Sequence, residues 1–251
     1  MNDKLLRRLD DMGSFLANCE DTLGLLGLGS VGIELSRLDQ FSDLDFFLIV
    51  KKGNKSKYLD SLFWLSDVYP LVYSFRNTVD GYKILFADGI YGEFAVFEED
   101  EMENISYSEG RWIFKKPGCT VSNVQKVPFK SLVSHQTDYA VNELLTNLLV
   151  GLQRFRRGEK LAAQRLIEVH ALNQLLSILP SLYIEENLFA DKFNLDRRIE
   201  FRFPAIAKKL PLFIQGIENT PASAQHLLDF VMAHFDVNEA ITDEIRKYLS
   251  I

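Results

Sequence analysis

The chain is poor in cysteine, and it lacks both an excess of positive charge and a long apolar run. Two cysteines, Cys19 and Cys119, occur in 251 residues, which excludes a disulfide framework and a cysteine-based metal site. No apolar run approaches the roughly 20 residues that a membrane helix needs. The formal net charge of −7 argues against a protein that binds nucleic acid through bulk charge.

These absences predict a cytoplasmic protein without a membrane partner. No secretory signal stands at the N-terminus, and the scarce cysteines fit a reducing compartment. Apolar residues, by contrast, are abundant, since 47% of the chain is hydrophobic and 19 residues are phenylalanine. That composition is typical of a packed core rather than a disordered chain.

The first half of the chain alternates between short apolar runs and amphipathic stretches, which predicts a mixed sheet with flanking helices. The spacing of apolar residues predicts a helix at residues 3–18, a short helical stretch from Gly29 to Arg37, and a helix at residues 55–65. Asp88-Gly89 is typical of a hairpin turn. The predicted strands are Leu23–Leu28, Leu44–Val50, Leu71–Arg76, Tyr82–Ala87, Tyr91–Phe97 and Arg111–Lys116.

The second half is predicted to be almost wholly helical. A long helix is expected at residues 138–157, and a second at residues 160–179 that Pro180 ends. Later helices are expected at residues 197–210, 222–235 and 238–249. The predicted fold class is therefore α+β, with a mixed α/β domain at residues 1–130 and a helical bundle domain at residues 131–251.

A glycine cluster, Gly27-Leu-Gly-Ser-Val-Gly32, matches the GxGxxG pattern of dinucleotide-binding turns. That interpretation needs an acidic residue at the end of the following strand to bind the ribose. Here Asp43 and Asp45 stand before the apolar run, and lysines 51 and 52 follow it. The dinucleotide interpretation is therefore disfavoured.

A different combination of the same residues has a clearer chemistry. The pair Gly29-Ser30 is followed, after residues 31–42, by Asp43-Leu-Asp45 and an apolar strand. Two carboxylates two residues apart on a strand point to one face and suit hard cations such as Mg²⁺. A Gly-Ser turn at a helix N-terminus would offer backbone N–H groups and a hydroxyl to phosphates.

This order of residues resembles the signature of the nucleotidyltransferase superfamily, in which a Gly-Ser pair precedes an Asp-x-Asp pair. The pattern requires a third carboxylate on a later strand, for which Glu93 is the candidate. Glu93 stands among apolar residues, where an acid needs a partner. Asp88 is the competitor, but turn chemistry alone explains Asp88-Gly89.

The segments Gly27–Val50 and Ile84–Phe97 look like the corresponding parts of bacterial lincosamide nucleotidyltransferases of the two-domain type. The resemblance implies transfer of AMP from ATP to a hydroxyl of a lincosamide, antibiotic resistance, two Mg²⁺ ions and a homodimer. Glu93 would be the general base, and the helical domain would bind the acceptor or dimerise. The implied metal ligands are Asp43, Asp45 and Glu93, and the implied nucleotide-binding residues are Gly29, Ser30 and Arg37.

Other interpretations stay open at this point. The acceptor would be an aminoglycoside if the acidic residues 98–103 lined the cleft. Alternatively, a protein that kept this fold without catalysing a reaction would serve as a nucleotide-binding regulator. Arg37 would help to organise the loop before Asp43, and a surface salt bridge explains it equally well. The basic residues near Gly158 fit either phosphate contact or a solvated helix end. They are Arg154, Arg156, Arg157 and Lys160, and His135 is left without an assigned role.

Overall fold

The structure, a computed structural model, describes residues 2–125, 136–186 and 194–250. The chain divides into two compact units, Met1–Phe129 and Lys130–Ile251. Each unit has its own apolar core. Within the described residues, no helix is both long and apolar enough to cross a membrane.

The N-terminal unit is built on a mixed sheet. Within the described residues its strands are β1 (Thr22–Gly27), β2 (Leu44–Val50), β3 (Leu71–Arg76), β4 (Gly81–Phe86), β5 (Tyr91–Glu98) and β6 (Arg111–Lys115). They lie in the order β3-β4-β5-β2-β1-β6. β2 and β5 are parallel, and the other neighbouring strands are antiparallel. The mixed sheet confirms the predicted α+β class, and the antiparallel pairing of β1 with β2 confirms that the dinucleotide interpretation was rightly disfavoured.

One face of the sheet, the helix-covered face, packs against α1 (Asn2–Ala17), α2 (Lys55–Asp60) and α3 (Phe63–Ser66). Alternation along the strands turns Phe46 and Phe94 toward this side. Their rings stack with centroids 5.4 Å apart, and Tyr82 continues the row at 5.8 Å from Phe94. This row joins three neighbouring strands through their side chains.

The opposite face, the carboxylate face, is covered over only part of its area. At the C-terminal ends of β2 and β5, Phe47 and Phe97 pack with Tyr107 and Met102 from the segment after β5. Side chains at the N-terminal ends of these strands, and on the neighbouring β3 and β4, are exposed or half-buried. This uncovered part, the open half, consists of Asp45, Tyr73, Phe75, Lys83, Leu85, Tyr91 and Glu93.

The described residues of the C-terminal unit form helices joined by loops, as predicted. The helices are α4 (Thr137–Arg156), α5 (Lys160–Gln164), α6 (Leu172–Leu182), α7 (Ile199–Arg202), α8 (Pro204–Ala207), α9 (Leu210–Phe213), α10 (Thr220–His234) and α11 (Glu239–Leu249), and a π-helical segment, Arg165–Ala171, joins α5 to α6. The spacing of Leu144, Leu148 and Leu152 gives α4 a stripe that is buried in the core of this unit. The roles assigned above to residues 1–130 and 131–251 stay predictions.

Several of the helix predictions were wrong in detail. The helix expected at residues 197–210 is instead the two short helices α7 and α8, because Phe203 between them leaves the helical conformation. Pro180 does not end its helix, because α6 continues through it to Leu182. Proline removes one intrahelical hydrogen bond, and this loss is tolerated so near the end of the helix. The expected helix at residues 55–65 is two short helices, α2 and α3, because Ser61 between them adopts an extended conformation.

Asp88, in the turn that joins β4 to β5, is tied to α1. Its carboxylate lies 2.8 Å from the guanidinium of Arg8 and 3.1 Å from the ammonium of Lys4. Partial burial acts to raise the pKa of Asp88, but hydrogen bonds from Lys4 and Arg8 outweigh it and hold that pKa below 3.8. These partners account for Asp88, which leaves Glu93 as the candidate third carboxylate.

We expect Asp88→Asn to lower the free energy of unfolding at pH 7 by about 3 kcal/mol, because the buried Arg8 loses its anion. Asparagine keeps the turn propensity, so the substitution isolates the charge. The pKa of Asp88 is lowered in the folded state, so its contribution is present above about pH 3.8 and is lost as the pH falls below that value.

Urea denaturation of both proteins at pH 7 and pH 3 measures this difference, with the exposed Asp60→Asn as the matched control. Equal stabilities of the wild type and Asp88→Asn at pH 7 would show that the ion pair contributes nothing.

Candidate active site

Asp45 and Glu93 are brought together by the parallel pairing of β2 with β5. The register places Asp45 directly beside Glu93. Neighbouring strands lie about 4.8 Å apart, and aligned residues share a face. Asp45 is exposed, and the side chain of Glu93 is 44% exposed. Asp43 is also exposed and lies one residue before β2, so the alternation of the strand does not fix its direction.

The Gly29-Ser30 turn begins beside the same carboxylates. β1 ends at Gly27, which pairs with Phe46 of β2. The next residue, Leu28, donates its backbone N–H to the carbonyl oxygen of Asp45 at 2.7 Å. The turn, Asp45 and Glu93 therefore meet at one end of the sheet, at the edge of the open half.

The helical stretch expected from Gly29 to Arg37 is instead a pair of three-residue 3-10 turns, Gly29–Val31 and Leu35–Arg37. Gly29 adopts the left-handed conformation with φ +52°, and Gly32 leaves the helical region with ψ −122°. Because these two glycines interrupt the turn, no helix N-terminus is formed here. The expected helix N-terminus was therefore wrong, and the binding of phosphate by Gly29 and Ser30 stays a prediction.

The glycines of this cluster are explained by close packing within the loop. A Cβ atom at Gly32 would lie 2.7 Å from the carbonyl oxygen of Gly27, and one at Gly27 would lie 2.8 Å from that of Val31. The loop therefore folds back tightly onto the end of β1. The GxGxxG spacing, which is also typical of dinucleotide-binding turns, here allows this close approach of backbone atoms.

Arg37 lies against this loop. Its guanidinium is ion-paired with Glu34 and is 3.5 Å from the position that a Cβ atom of Gly29 would occupy. Glu34 in turn donates its backbone N–H to the carbonyl oxygen of Gly29 at 3.2 Å. The structure thus places Arg37 next to the Gly-Ser turn, in a salt bridge that holds the loop.

Arg111, the first residue of β6, is a loop-holding residue that the sequence analysis missed. Its guanidinium donates to the carbonyl oxygens of Val31 at 3.0 Å and Gly32 at 3.3 Å. Arg111 stands opposite Gly27 because β6 pairs with β1. No local sequence pattern indicates this role of Arg111. The contact joins residues about 80 positions apart and depends on the pairing of β6 with β1.

Two further residues hold the carboxylate of Glu93. Asn77, at the start of the β3–β4 turn, donates from its side-chain amide to Oε1 at 2.7 Å. The ammonium of Lys83 lies 3.6 Å from Oε2, because β4 pairs Lys83 directly with Glu93. The amide oxygen of Asn77 is buried and has no hydrogen-bond partner among the residues that the structure describes. The sequence does contain a lysine and a glutamate on adjacent predicted strands, which could have indicated the contact between Lys83 and Glu93. Finding it required the register of the β4–β5 hairpin, which the sequence alone does not give.

The donors at this end of the sheet have the chemistry that a magnesium site requires. Asp43, Asp45 and Glu93 supply carboxylate oxygens, the ligand type that Mg²⁺ prefers. Within the described residues, no three acidic, histidine or cysteine side chains are close enough to form a preformed metal cage. The aligned pair Asp45 and Glu93 is the part of the expected ligand set that the register brings together.

The basic residues near Gly158 are engaged inside the C-terminal unit. Arg154 and Arg157 are ion-paired with Glu159, and Lys160 with Glu218. Arg156 donates to the backbone carbonyl oxygen of Tyr248 at 2.6 Å. These partners favour a structural role over phosphate contact. His135 lies outside the described residues.

No protein family and no curated protein matches the chain by sequence. Among solved structures, the chain is similar to the crystal structure of an aminoglycoside 6-adenyltransferase from Bacillus subtilis. The identity is 14%, and the match covers 98% of this chain and 91% of that chain with a TM-score of 0.33.

We expect Gly32→Ala to destabilise the N-terminal unit by about 1–3 kcal/mol, because the new Cβ atom would overlap backbone atoms of residues 27 and 28. Gly29→Asn should cost far less, since asparagine tolerates the left-handed conformation and the position has space. Urea denaturation of both variants measures the difference. Equal losses would contradict the close packing of the loop.

Proposed function

We propose that this chain transfers AMP from ATP to a hydroxyl group of a small molecule, by preference a lincosamide antibiotic, and releases pyrophosphate. The observation that carries this proposal is the alignment of Asp45 with Glu93 beside the Gly29-Ser30 turn. Carboxylates next to a tight glycine turn combine a cation site with a surface that phosphates can approach.

Asp43, Asp45 and Glu93 are the residues that would hold magnesium. The ions, when bound, neutralise the charge of the triphosphate and favour in-line displacement at the α-phosphorus. The chain's own loop residues would position the nucleotide. Gly29 and Ser30 form the turn, Arg111 of β6 ties the loop to the sheet, and Arg37 is ion-paired with Glu34 within the loop.

Glu93 would act as the general base for the acceptor. The acceptor oxygen forms the new bond to the α-phosphorus, its proton passes to Glu93, and the bond to the pyrophosphate leaving group breaks. Asn77 and Lys83 contact opposite oxygens of this carboxylate and so orient it. Orientation matters because a base works only within hydrogen-bond reach of the proton that it removes.

Two alternatives differ from this proposal in the acceptor or in the chemistry. An aminoglycoside or another hydroxylated molecule would use the same carboxylates, and a nucleotide-binding regulator would keep the turn without turnover. The presence of all three carboxylates favours an enzyme over a regulator. The helical unit as an acceptor-binding or dimerising part, the homodimer and the cytoplasmic location belong to the same proposal.

We expect Glu93→Gln to lower the rate of AMP transfer by about 10²–10⁴-fold while nucleotide binding is retained, because glutamine keeps an oxygen that can face a cation but cannot take up the acceptor's proton. The measurement is mass spectrometry of a panel of lincosamides and aminoglycosides incubated with ATP and Mg²⁺, in which a product gains one AMP. Glu20→Gln, which changes an exposed glutamate at the opposite end of β1, is the matched control.

Transfer by Glu93→Gln at the wild-type rate would disprove the role of this residue. Binding of ATP without release of pyrophosphate, across all acceptors, would favour the regulator.

We also expect Asp45→Asn to weaken the Mg²⁺-dependent part of ATP-analogue binding by at least about tenfold. A residue that coordinates the metal contributes at least as much to metal affinity as the groups that orient it. Isothermal titration with a non-hydrolysable analogue, with Mg²⁺ and with a chelator, separates the two parts. Asp60→Asn serves as the control. Equal binding by Asp45→Asn and the wild type in Mg²⁺ would place the metal elsewhere.

A further inference from the structure

The open half of the carboxylate face carries aromatic side chains in line with Glu93. The strand registers place four residues in one row across neighbouring strands: Phe75 of β3, Lys83 of β4, Glu93 of β5 and Asp45 of β2. In the next row, Tyr73, Leu85 and Tyr91 are aligned in the same way. Residues two apart on a strand share a face, so both rows lie on the side of the sheet that bears the carboxylates.

These aromatic rings are unusually open to solvent. Tyr73 is 53% exposed, Phe75 52% and Tyr91 37%. In the covered part of the same face, by contrast, the ring of Phe47 packs against those of Phe97 and Tyr107. A contiguous group of exposed rings beside polar residues marks a binding surface more often than it occurs by accident.

The distances suit a small molecule that touches the rings and Glu93 together. Tyr91 is two residues from Glu93 on one strand, which corresponds to about 7 Å. Phe75 lies two strands away, which corresponds to about 10 Å. A ligand with rings that rest on this surface would therefore present a hydroxyl at the Glu93 carboxylate.

The charges near the rings disfavour a polycation. The two carboxylates in these rows, Asp45 and Glu93, are the proposed magnesium ligands, and the ammonium of Lys83 already lies 3.6 Å from Glu93, so a polycation would have to compete with both cations for these anions. The acidic residues 98–103, which an aminoglycoside would need, begin at the other end of β5, about 17 Å from Glu93. Two of these acids are ion-paired, Asp100 with Lys52 and Glu101 with Lys55.

We propose that the open half is the acceptor-binding surface of this site and that it takes the apolar ring body of a hydroxylated small molecule rather than a polycationic one. This inference rests on the proposed function, since Glu93 is the group that the hydroxyl must reach. Tyr73, Phe75 and Tyr91 determine acceptor specificity, and the Gly29-Ser30 turn determines nucleotide binding.

The test measures acceptor binding and turnover separately. Isothermal titration without ATP compares clindamycin, which has an apolar ring body, with kanamycin, which is polycationic. Steady-state kinetics with ATP then gives KM for each substrate. We expect clindamycin to bind, and Phe75→Ala and Tyr91→Ala each to raise its Kd and KM about tenfold with the KM for ATP unchanged.

Phe201→Ala is the matched control, because Phe201 is an exposed phenylalanine of the C-terminal unit. Binding of kanamycin and not clindamycin would overturn the inference, as would alanine variants with unchanged clindamycin affinity. A wild-type dimer that Phe75→Ala converts to a monomer, measured by light scattering, would show that a second copy covers the rings and would also overturn it. Clindamycin binding that depends on the rings, without AMP transfer to any acceptor, would support the surface and disprove the proposed function.

Discussion

The parallel pairing of β2 with β5 is the constraint on which the rest of the site depends. Parallel neighbours have aligned N-terminal ends, so Asp45 and Glu93, each near the start of its strand, lie side by side. The antiparallel pairing of β1 with β2 then delivers the Gly29-Ser30 turn to the same end. A shift of one residue in the β2–β5 register would move one of the carboxylates to the other face.

The two faces of the sheet have different roles: one contributes to stability, and the other carries the candidate catalytic groups. The helix-covered face holds a continuous apolar core in which Phe46 and Phe94 stack across the strands that carry the carboxylates. That stacking stiffens β2 and β5 on the helix-covered face, while part of the carboxylate face is left open. A rigid strand pair with an exposed end is suited to hold charged groups at fixed separation without burying them.

Much of the N-terminal unit followed from local patterns. The strands were predicted within one or two residues, because each is a short apolar run bounded by turn residues such as Asp88-Gly89. The candidates Asp45 and Glu93 were found from residue order alone. Arg111, Asn77 and Lys83 were missed or left unassigned, because each contacts the site through a strand pairing that no local pattern encodes.

The sequence by itself determined the α+β class and the helical second half, because hydrophobic periodicity and turn chemistry are local properties. The candidate carboxylates came from the order of the residues and from its resemblance to a known signature, and they stay predictions. Tertiary structure alone decided that Gly29–Arg37 forms tight turns rather than a helix, since the close approach of Gly27 and Gly32 overrides helix propensity. It also decided which aromatic rings are buried. Phe94 and Phe75 look alike in sequence, and only the tertiary structure makes one a core residue of the helix-covered face and leaves the other exposed on the carboxylate face of an edge strand.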